Sequence, residues 1–284
     1  MNEAASRRIW LCADDYGISP GVNRSIRHLI VQGRLNATSV MVVGPAAGRE
    51  EIGKLQQAVA ERQARGNRCA VGLHVTLTAP FRPLTMHFRP ADGGMFLPLP
   101  AMLRRGLARQ LDAEIIRSEI SIQLAAFAEL FNRAPEFMDG HQHAQLFPVV
   151  RDAFLAAAAE HAPGAWVRQG GRHLPLARRL NAPKALLLDT LSRQFRKRAA
   201  RANIAFNTAF AGAYDFSRQP DFGALMRQFL DGLPDGGLVM CHPGFVDETL
   251  ESLDPLTHQR EREHTYLAGD DFPALLAANR VTLE

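Results

Sequence analysis

The chain has 284 residues and a formal net charge of +4, and 46% of its residues are hydrophobic while 22% are charged. These values exclude a disordered or fibrous protein, and the length suits one βα-barrel domain over residues 1–284. No apolar run reaches the roughly eighteen residues of a membrane span, and residues 1–8 lack the apolar core of a signal peptide, so we expect a cytoplasmic protein without a transmembrane segment.

Strand patterns and helix patterns alternate along most of the chain. Short apolar runs without polar breaks are typical of parallel strands that are buried on both faces, whereas apolar residues at helical spacing indicate helices. The predicted strands are 8–13, 37–44, 69–77, 136–143, 165–168, 204–207 leading to 210–216, 236–241 and 281–283. The predicted helices are 21–32, 47–64, 112–131, 148–161, 177–200, 221–232, 259–267 and 272–278.

This alternation predicts an α/β fold with a mainly parallel sheet. Seven or eight strand–helix units at this length favour a closed or nearly closed βα barrel over an open sheet, and no glycine-rich nucleotide-binding loop follows the first strand. The Pro-rich excursion at about 79–100 breaks the rhythm, and we interpret it as a substrate-side loop. Cys12, Cys69 and Cys241 are isolated and odd in number, so we expect reduced, buried thiols.

Polar residues stand at the ends of several predicted strands. In a βα barrel the carboxyl ends of the strands share one rim, where active sites lie, so these side chains should converge. If residues 139–143 form a strand, the alternation of side chains places Asp139, His141 and His143 on one face. The complete set is Asp14, Asp15, His74, Asp139, His141, His143, Arg168 and His242.

A divalent metal ion is the simplest explanation of this set. Two imidazoles and one carboxylate leave open positions on the ion, as in catalytic sites, and mixed oxygen and nitrogen ligands suit either Mg²⁺ or Zn²⁺. Such an ion lowers the pKa of a bound water toward about 7 and polarises a carbonyl oxygen, which favours a hydrolase. One aspartate of the adjacent pair would bind the ion while its neighbour accepts a proton.

Each remaining residue has two interpretations. His242 would protonate the leaving group, or it is a core histidine before a turn. Asp139 and His143 would orient His141 or contact the substrate. Arg168 would bind a carboxylate or a sugar oxygen, or it is structural. The aspartate pair itself would otherwise be a corner that caps a helix.

Four short motifs occur in order over almost the whole chain: ADDYG at 13–17, GLHVTLT at 72–78, DGHQH at 139–143 and CHPG at 241–244. Together they resemble the YdjC-like carbohydrate deacetylase family, which includes chitooligosaccharide deacetylase and a hopanoid-biosynthesis-associated branch. The resemblance implies a distorted, deacetylase-type TIM-like barrel of seven or eight mainly parallel strands. It also implies a hydrolase that uses one divalent ion to remove an acetyl group from an N-acetylated amino sugar, in an oligosaccharide or a glycolipid.

The resemblance further implies roles for individual residues. The chain has Gln142 and Gln145 where the family often has histidines. Both lie outside the implied ligands, so the expected metal site is unaffected while the sugar specificity stays open. The implied roles are metal ligand for Asp15, His74 and His141, general base for Asp14, and general acid for His242.

Two other interpretations of the function stay open. A metal-dependent phosphoesterase would use the same ligands, with Arg168 on the phosphate. A non-catalytic protein would bind nucleic acid or anionic lipid through the arginine-rich region 172–201, although we expect no nucleic acid partner because aromatic residues are sparse there. The oligomeric state also stays open, with a homodimer as one alternative.

Overall fold

The computed structural model describes residues 6–89, 91–172, 183–216 and 220–283, and within 183–185 the backbone only. Its largest feature is a sheet of seven strands. Every neighbouring pair runs parallel, as the alternation of strands and helices predicts. In spatial order the strands are β8 (Trp166–Val167), β7 (Phe137–Gly140), β4 (Ala70–Val75), β3 (Ala37–Val40), β2 (Trp10–Tyr16), β10 (Leu238–Cys241) and β9 (Phe210–Ala211).

The two edges of this sheet are connected to each other. Val167 forms a parallel bridge with Phe206, and Arg172 forms one with Phe210. The backbone N–H of Val167 donates to the carbonyl of Ala205 at 2.9 Å. Because these contacts join β8 and the residues after it to β9 and the residues before it, the sheet curls into a distorted βα barrel. The predicted fold is confirmed.

Two pairs of short strands lie outside the barrel sheet. The first pair, β1 (Arg7–Arg8) and β11 (Val281–Thr282), is parallel and joins the two ends of the described chain. The second pair, β5 (Ala91–Asp92) and β6 (Met95–Phe96), is an antiparallel hairpin. This hairpin lies within the Pro-rich excursion, so the segment that the sequence predicted to be a loop has secondary structure of its own.

Helices connect the strands and cover the outside of the barrel. The first helix begins at Pro20, one residue before the predicted start, because the Ser19 hydroxyl accepts a hydrogen bond from the backbone N–H of Val22 at 3.2 Å and Pro20 occupies the first turn. The helices are α1 (Pro20–Val31), α2 (Arg49–Ala64), α3 (Leu99–Leu107), α4 (Ala113–Phe131), α5 (Val150–His161), α6 (Pro183–Arg201), α7 (Phe222–Leu230), α8 (Glu248–Leu253), α9 (His258–Ala268) and α10 (Asp271–Ala278).

The apolar core consists of two clusters on opposite faces of the sheet. The larger cluster contains the helix residues, and the smaller one contains strand residues that alternate with it along the chain, such as Cys12 and Met240. The smaller cluster therefore fills the interior of the barrel. Two positions further along the same inward rows are Asp14 and His242, so the polar site closes the carboxyl end of an apolar interior.

Two strand boundaries differ from the prediction at the functional motifs. The β2 strand does not end before the aspartate pair but continues to Tyr16, with a shift of its register to β3 after Ala13. The β7 strand ends at Gly140, and a 3-10 segment follows in which Gln142 and His143 have φ angles of 54° and 58°. Strict alternation through the second histidine is therefore wrong, because left-handed residues break the two-residue period.

Other differences concern short elements. Helical spacing did not reveal α3, which begins among prolines, or α8, which has six residues. The strand predicted at 210–216 is confined to β9.

Cys12, Cys69 and Cys241 are free and buried, as predicted. In the described part of the chain, no helix is both long enough and apolar enough to cross a membrane.

The arginine-rich region is described in part. Arg172 pairs with Asp189 at 2.8 Å, and Arg198 pairs with Asp152 at 2.9 Å. The first part of the helix predicted here, 177–182, lies outside the described residues. At least two cations of the region are thus neutralised by carboxylates of the same chain, which leaves less charge for a polyanion.

Candidate metal centre and active site

Both aspartates of the adjacent pair reach the same site because the end of β2 is distorted. Asp15 has a φ angle of 67°, in the left-handed region that residues other than glycine rarely adopt. A residue in this conformation turns the chain, so two consecutive side chains need not point to opposite faces. Asp14 and Asp15 are both buried, and each lies near a histidine of the rim. Strained backbone of this kind is typical of functional sites.

Three side chains bring their donor atoms together at this point. Oδ1 of Asp15 lies 3.2 Å from Nε2 of His74 and 3.1 Å from Nδ1 of His141. The donor atoms of the three residues all lie within 4.8 Å of one another, and all three residues are buried. They come from the ends of β2 and β4 and from the start of the 3-10 segment after β7. The parallel strands thus bring distant residues to one rim.

The donor set fits a divalent ion. Ligand atoms that lie about 2.1 Å from a shared ion are about 3.0 Å apart in octahedral geometry and about 3.4 Å apart in tetrahedral geometry. The distances from Oδ1 of Asp15 to the nitrogens of His74 and His141, 3.2 and 3.1 Å, fall between these values. Two imidazole nitrogens and one carboxylate oxygen suit a borderline ion such as Zn²⁺, and three protein ligands leave room for a water or a substrate.

Asp139 orients the imidazole of His74. The register of β4 and β7 pairs the two residues, and Nδ1 of His74 lies 2.6 Å from Oδ1 of Asp139 and 3.0 Å from the Ser39 hydroxyl. A proton on Nδ1 that is shared with Asp139 leaves the lone pair of Nε2 for an ion. The prediction that Asp139 orients His141 is therefore wrong, because the parallel register places His74 beside it.

The carboxylates also control the protonation of His74. Burial lowers the pKa of His74, but the charge of Asp139 and hydrogen bonds to Asp139 and Asp15 outweigh burial and raise it to about 10. Burial raises the pKa of Asp15, but the charge of Arg260 and the two histidines hold it well below its ordinary value. In the metal-free protein, a proton on His74 therefore balances part of the negative charge of the site.

The 3-10 segment separates the two histidines of the DGHQH motif. His141 faces Asp15, and the ring of Phe81 from the Pro-rich excursion packs edge-on against it at a centroid distance of 5.6 Å. The His143 ring instead packs edge-on against Phe210 at 5.4 Å. Burial lowers the pKa of His143 to about 3, so this imidazole is neutral. Among the described residues, the donor cluster includes His141 and not His143.

A bidentate ion pair holds Asp14. Nη1 and Nη2 of Arg168 donate to the two oxygens of Asp14 at 2.6 and 2.7 Å, and Nη1 also lies 3.1 Å from Oδ2 of Asp139. Burial raises the pKa of Asp14, but the charge of Arg168 outweighs burial and lowers it to about 2. Of the two partners predicted for Arg168, a carboxylate and a sugar oxygen, the structure shows carboxylates, and they belong to the protein itself.

A second group of donor atoms lies next to this ion pair. Cys12, Asp14 and Asp139 also bring their donor atoms within 4.8 Å of one another. The guanidinium of Arg168 already supplies positive charge to both carboxylates. Burial raises the pKa of the Cys12 thiol well above its ordinary value, so the thiolate that metals prefer is disfavoured. The group of Asp15 therefore suits an ion better than this one.

His242 completes the rim next to Asp14. Its Nε2 lies 4.0 Å from Oδ2 of Asp14, and the ring of Phe216 packs edge-on against its imidazole. The backbone N–H of His242 donates to the buried carboxylate of Glu263 at 2.5 Å, and Tyr214 donates its hydroxyl to the same carboxylate at 2.6 Å. The distance between Nε2 of His242 and Oδ2 of Asp14 is too long for a direct hydrogen bond, but one water between the two groups would allow them to exchange a proton.

Two supporting residues on α9 were missed by the sequence analysis. Nη2 of Arg260 donates to Asp15 at 2.6 Å and to Asp254 at 2.5 Å, and Glu263 accepts the backbone N–H of His242. Both α9 residues are fully buried. Because residues three apart lie on one face of a helix, the sequence does indicate that the two side chains are neighbours. It does not indicate that this face is the buried one, since the other faces of the helix are also polar.

The comparisons with known proteins give one consistent relationship. The sequence model described as YdjC-like protein matches residues 8–278. The chain is 28% identical over 252 residues to a chitooligosaccharide deacetylase of Citrobacter koseri, with 84% of this chain and 82% of that protein covered. It is 29% identical over 262 residues to a carbohydrate deacetylase of Homo sapiens, with 84% and 75% covered. The crystal structure of a candidate cellobiose-phosphate cleavage protein from Enterococcus faecalis V583 shares the fold, with a TM-score of 0.77 at 16% identity over 99% of this chain and 97% of that one.

Proposed function

The chain belongs to the YdjC-like protein family, and from this premise we propose that it is a metal-dependent carbohydrate N-deacetylase. Its substrate is an N-acetylated amino sugar, in an oligosaccharide or a glycolipid, and its products are acetate and the free amine. Two matched relatives carry the names chitooligosaccharide deacetylase and carbohydrate deacetylase, which supports this substrate class.

The observation that supports the proposal most is that the side chains proposed as ligands, base and acid lie together at one rim. Asp15, His74 and His141 would hold the divalent ion, and their donor atoms lie within 4.8 Å of one another. Asp14 lies within β2, immediately before Asp15, and Nε2 of His242 lies 4.0 Å from Oδ2 of Asp14. Amide hydrolysis requires an activated water, a counter-charge for the developing oxyanion and a proton for the leaving amine, and this set can supply all three.

The chain's own side chains would move the protons. A bound divalent ion acidifies a water molecule and polarises the acetyl carbonyl oxygen. Asp14 is ionised because Arg168 holds its pKa at about 2, and its Oδ2 would accept a proton from the attacking water. Nε2 of His242 would protonate the sugar nitrogen as the C–N bond breaks. The proton on Asp14 would then return to His242 through one bridging water, because the two side chains lie 4.0 Å apart, so that one water is consumed for each acetate released.

The geometry gives less support to a phosphoesterase. That activity would require Arg168 to bind the phosphate, but both terminal nitrogens of this residue already bind Asp14 at 2.6 and 2.7 Å. An assay for inorganic phosphate beside the assay for acetate separates the two activities.

The proposal is tested by acetate release from a panel of N-acetylated sugars and glycolipids, with purified chain loaded with Mg²⁺ or Zn²⁺ in turn. Asp14→Asn should lower kcat by about 10²–10⁴-fold with unchanged metal content, because this carboxylate acts as a base and not as a ligand. His74→Ala should lose both metal and activity, because an open site is left with two protein ligands.

Two substitutions on α5 provide matched controls. Asp152→Asn and His161→Ala change the same residue types at partly exposed positions outside the rim, so metal content and activity should stay at the level of the unmodified chain. A fully active Asp14→Asn enzyme would exclude this base, and full metal content in His74→Ala would exclude this ligand.

A further inference from the structure

Residues 79–109, here called the docking segment, carry an unusual share of exposed apolar side chains. Six large hydrophobic residues are exposed in the described part of the chain, and four of them belong to this segment. Met86 is 90% exposed and Leu107 is 53% exposed, and the other two are Leu84 and Met95. Single exposed apolar residues need no explanation, but several in one short segment indicate an interaction surface.

The exposed side chains belong to an ordered part of the fold. The buried carboxylate of Glu119, on α4, accepts the backbone N–H groups of Leu84 and Thr85 at 3.0 and 2.9 Å. The hydroxyl of Thr85 donates to the same carboxylate at 2.6 Å. Met86 follows this anchor, and Phe88, two residues later, is buried. The residues on both sides of Met86 are therefore fixed to the fold, so its exposed side chain belongs to an ordered surface and not to a freely moving loop.

The same segment is strongly basic. It contains five arginines and one acidic residue, Asp92, which gives it a net charge equal to the +4 of the whole chain. None of these arginines forms an ion pair with a residue that the structure describes, whereas Arg49 and Arg117, on other helices, pair with Glu129 and Glu160. The five arginines are Arg82, Arg89, Arg104, Arg105 and Arg109.

We propose that the docking segment binds the surface of an anionic membrane. Exposed leucine and methionine side chains enter the interface between headgroups and acyl chains, while the arginines of the segment meet lipid phosphates, and the two contributions add. A soluble polyanion would engage the arginines but leave the apolar side chains in water, so their presence favours lipid. Phe81, a buried residue of the segment, packs on His141, so the inner side of the segment adjoins the candidate metal centre. The proposal is independent of the proposed function, because it concerns binding and not turnover.

Cosedimentation of the full chain with lipid vesicles tests the proposal. We expect binding to vesicles of phosphatidylcholine with about a third phosphatidylglycerol, little binding to phosphatidylcholine alone, and weaker binding as salt increases. The double substitution Leu84→Ser with Met86→Ser should weaken vesicle binding by about tenfold or more, because two apolar side chains no longer leave water. Arg104→Gln with Arg105→Gln should weaken it to a similar extent.

The chain offers matched controls outside the segment. Ile122→Ser with Leu187→Ser removes two residues of 39% and 38% exposure, and Arg193→Gln with Lys197→Gln removes two cations of α6. Both control proteins should bind vesicles like the unmodified chain, and all four double variants should keep its thermal midpoint.

Several outcomes would overturn the proposal. The first is failure of the unmodified chain to bind anionic vesicles in low salt. The second is unchanged binding by the Leu84 and Met86 variant together with equally strong binding to heparin, which would indicate a soluble polyanion site. The third is loss of self-association in that variant with no change in vesicle binding, which would indicate a contact between two copies of the chain. The fourth is loss of binding in the α6 variant alone.

Discussion

Arg168 is the single residue on which the charge balance of the site depends most. Its side chain is 1% exposed, and it contacts two carboxylates, those of Asp14 and Asp139, which are just as buried. Buried carboxylates without a cation are strongly unfavourable, because the low-dielectric interior solvates them poorly. Of the roles that the sequence left open for Arg168, the contacts therefore fit the structural one, in which its charge compensates two buried carboxylates.

We therefore expect Arg168→Met to lower the free energy of unfolding by about 3–5 kcal/mol, since the variant leaves two buried carboxylates without their cation. Urea denaturation measures this change. Adding Asp14→Asn to the variant should restore part of the stability, because one of the uncompensated charges is removed. Arg198→Met breaks a partly exposed pair with Asp152 and should cost at most about 1 kcal/mol. Equal losses for the two arginines would contradict the expectation.

A second expectation at this scale concerns the proton on His74. Its pKa of about 10 means that the imidazole is protonated in the metal-free protein at neutral pH. An ion binds only the neutral imidazole, so binding must release a proton, and the apparent metal affinity should rise by about tenfold per pH unit between about pH 7 and pH 9. Calorimetric titration in two buffers of different ionisation enthalpy counts the released protons. An affinity that does not change over this range would exclude His74 as a protonated ligand.

Helix α9 is the element that supports both halves of the site. Arg260 donates to the second oxygen of Asp15, the proposed ligand, and one turn later the carboxylate of Glu263 accepts a hydrogen bond from the backbone N–H of His242. The two side chains lie on one buried face, so a single helix positions both the proposed metal ligand and the proposed acid. A helix that contributes no ligand of its own can therefore control the geometry of the centre.

This arrangement predicts that two substitutions in one helix have different effects. Arg260→Met should weaken metal binding by about 10–100-fold, because Asp15 loses the group that orients it. Glu263→Ala should leave metal affinity unchanged and lower kcat, because it frees the backbone of His242 and not a ligand. Metal titration and steady-state kinetics separate the two effects, and Glu261→Ala, an exposed change on the same helix, should alter neither. Equal loss of metal in both variants would indicate general damage to α9.

For the whole molecule, the barrel and the proposed metal centre depend on each other. The three donor residues belong to the ends of β2 and β4 and to the segment after β7, so a bound ion would connect chain segments that are otherwise joined by packing and backbone hydrogen bonds. A ligand that binds only the folded chain stabilises it by mass action, and this effect grows with the ratio of ligand concentration to Kd.

Removal of the ion should therefore lower the thermal midpoint of the entire chain. At a metal concentration of about one hundred times Kd the stabilisation is about 2.7 kcal/mol, which corresponds to a shift of about 5–10 °C for a protein of this size. Calorimetry with and without a chelator measures the shift. His74→Ala should show no response to the chelator, whereas His161→Ala should respond like the unmodified chain. A chelator effect of equal size in His74→Ala would place the ion elsewhere.

The barrel and the position of the site along the chain could be predicted from the amino-acid sequence alone. The apolar runs of strands such as 69–77, and the helical spacing of apolar residues in the segments between strands, are local properties of the sequence. They therefore predict a parallel α/β fold without knowledge of contacts. Aspartates and histidines at successive strand ends then belong to one rim, because parallel strands share it. The same reasoning could not find the left-handed residues Asp15 and His143, because their conformation is imposed by tertiary packing.

The pairing of charged side chains, in contrast, depends on the three-dimensional fold. Asp14 binds a cation 154 positions away, Asp15 binds one 245 positions away, and Asp139 orients a histidine 65 positions away. These pairings follow from strand register, from closure of the sheet and from the docking of α9, all of which are long-range properties. The sequence contains the residue types that a metal centre requires. The partner of each carboxylate, however, is defined only when the barrel closes and brings distant residues into contact.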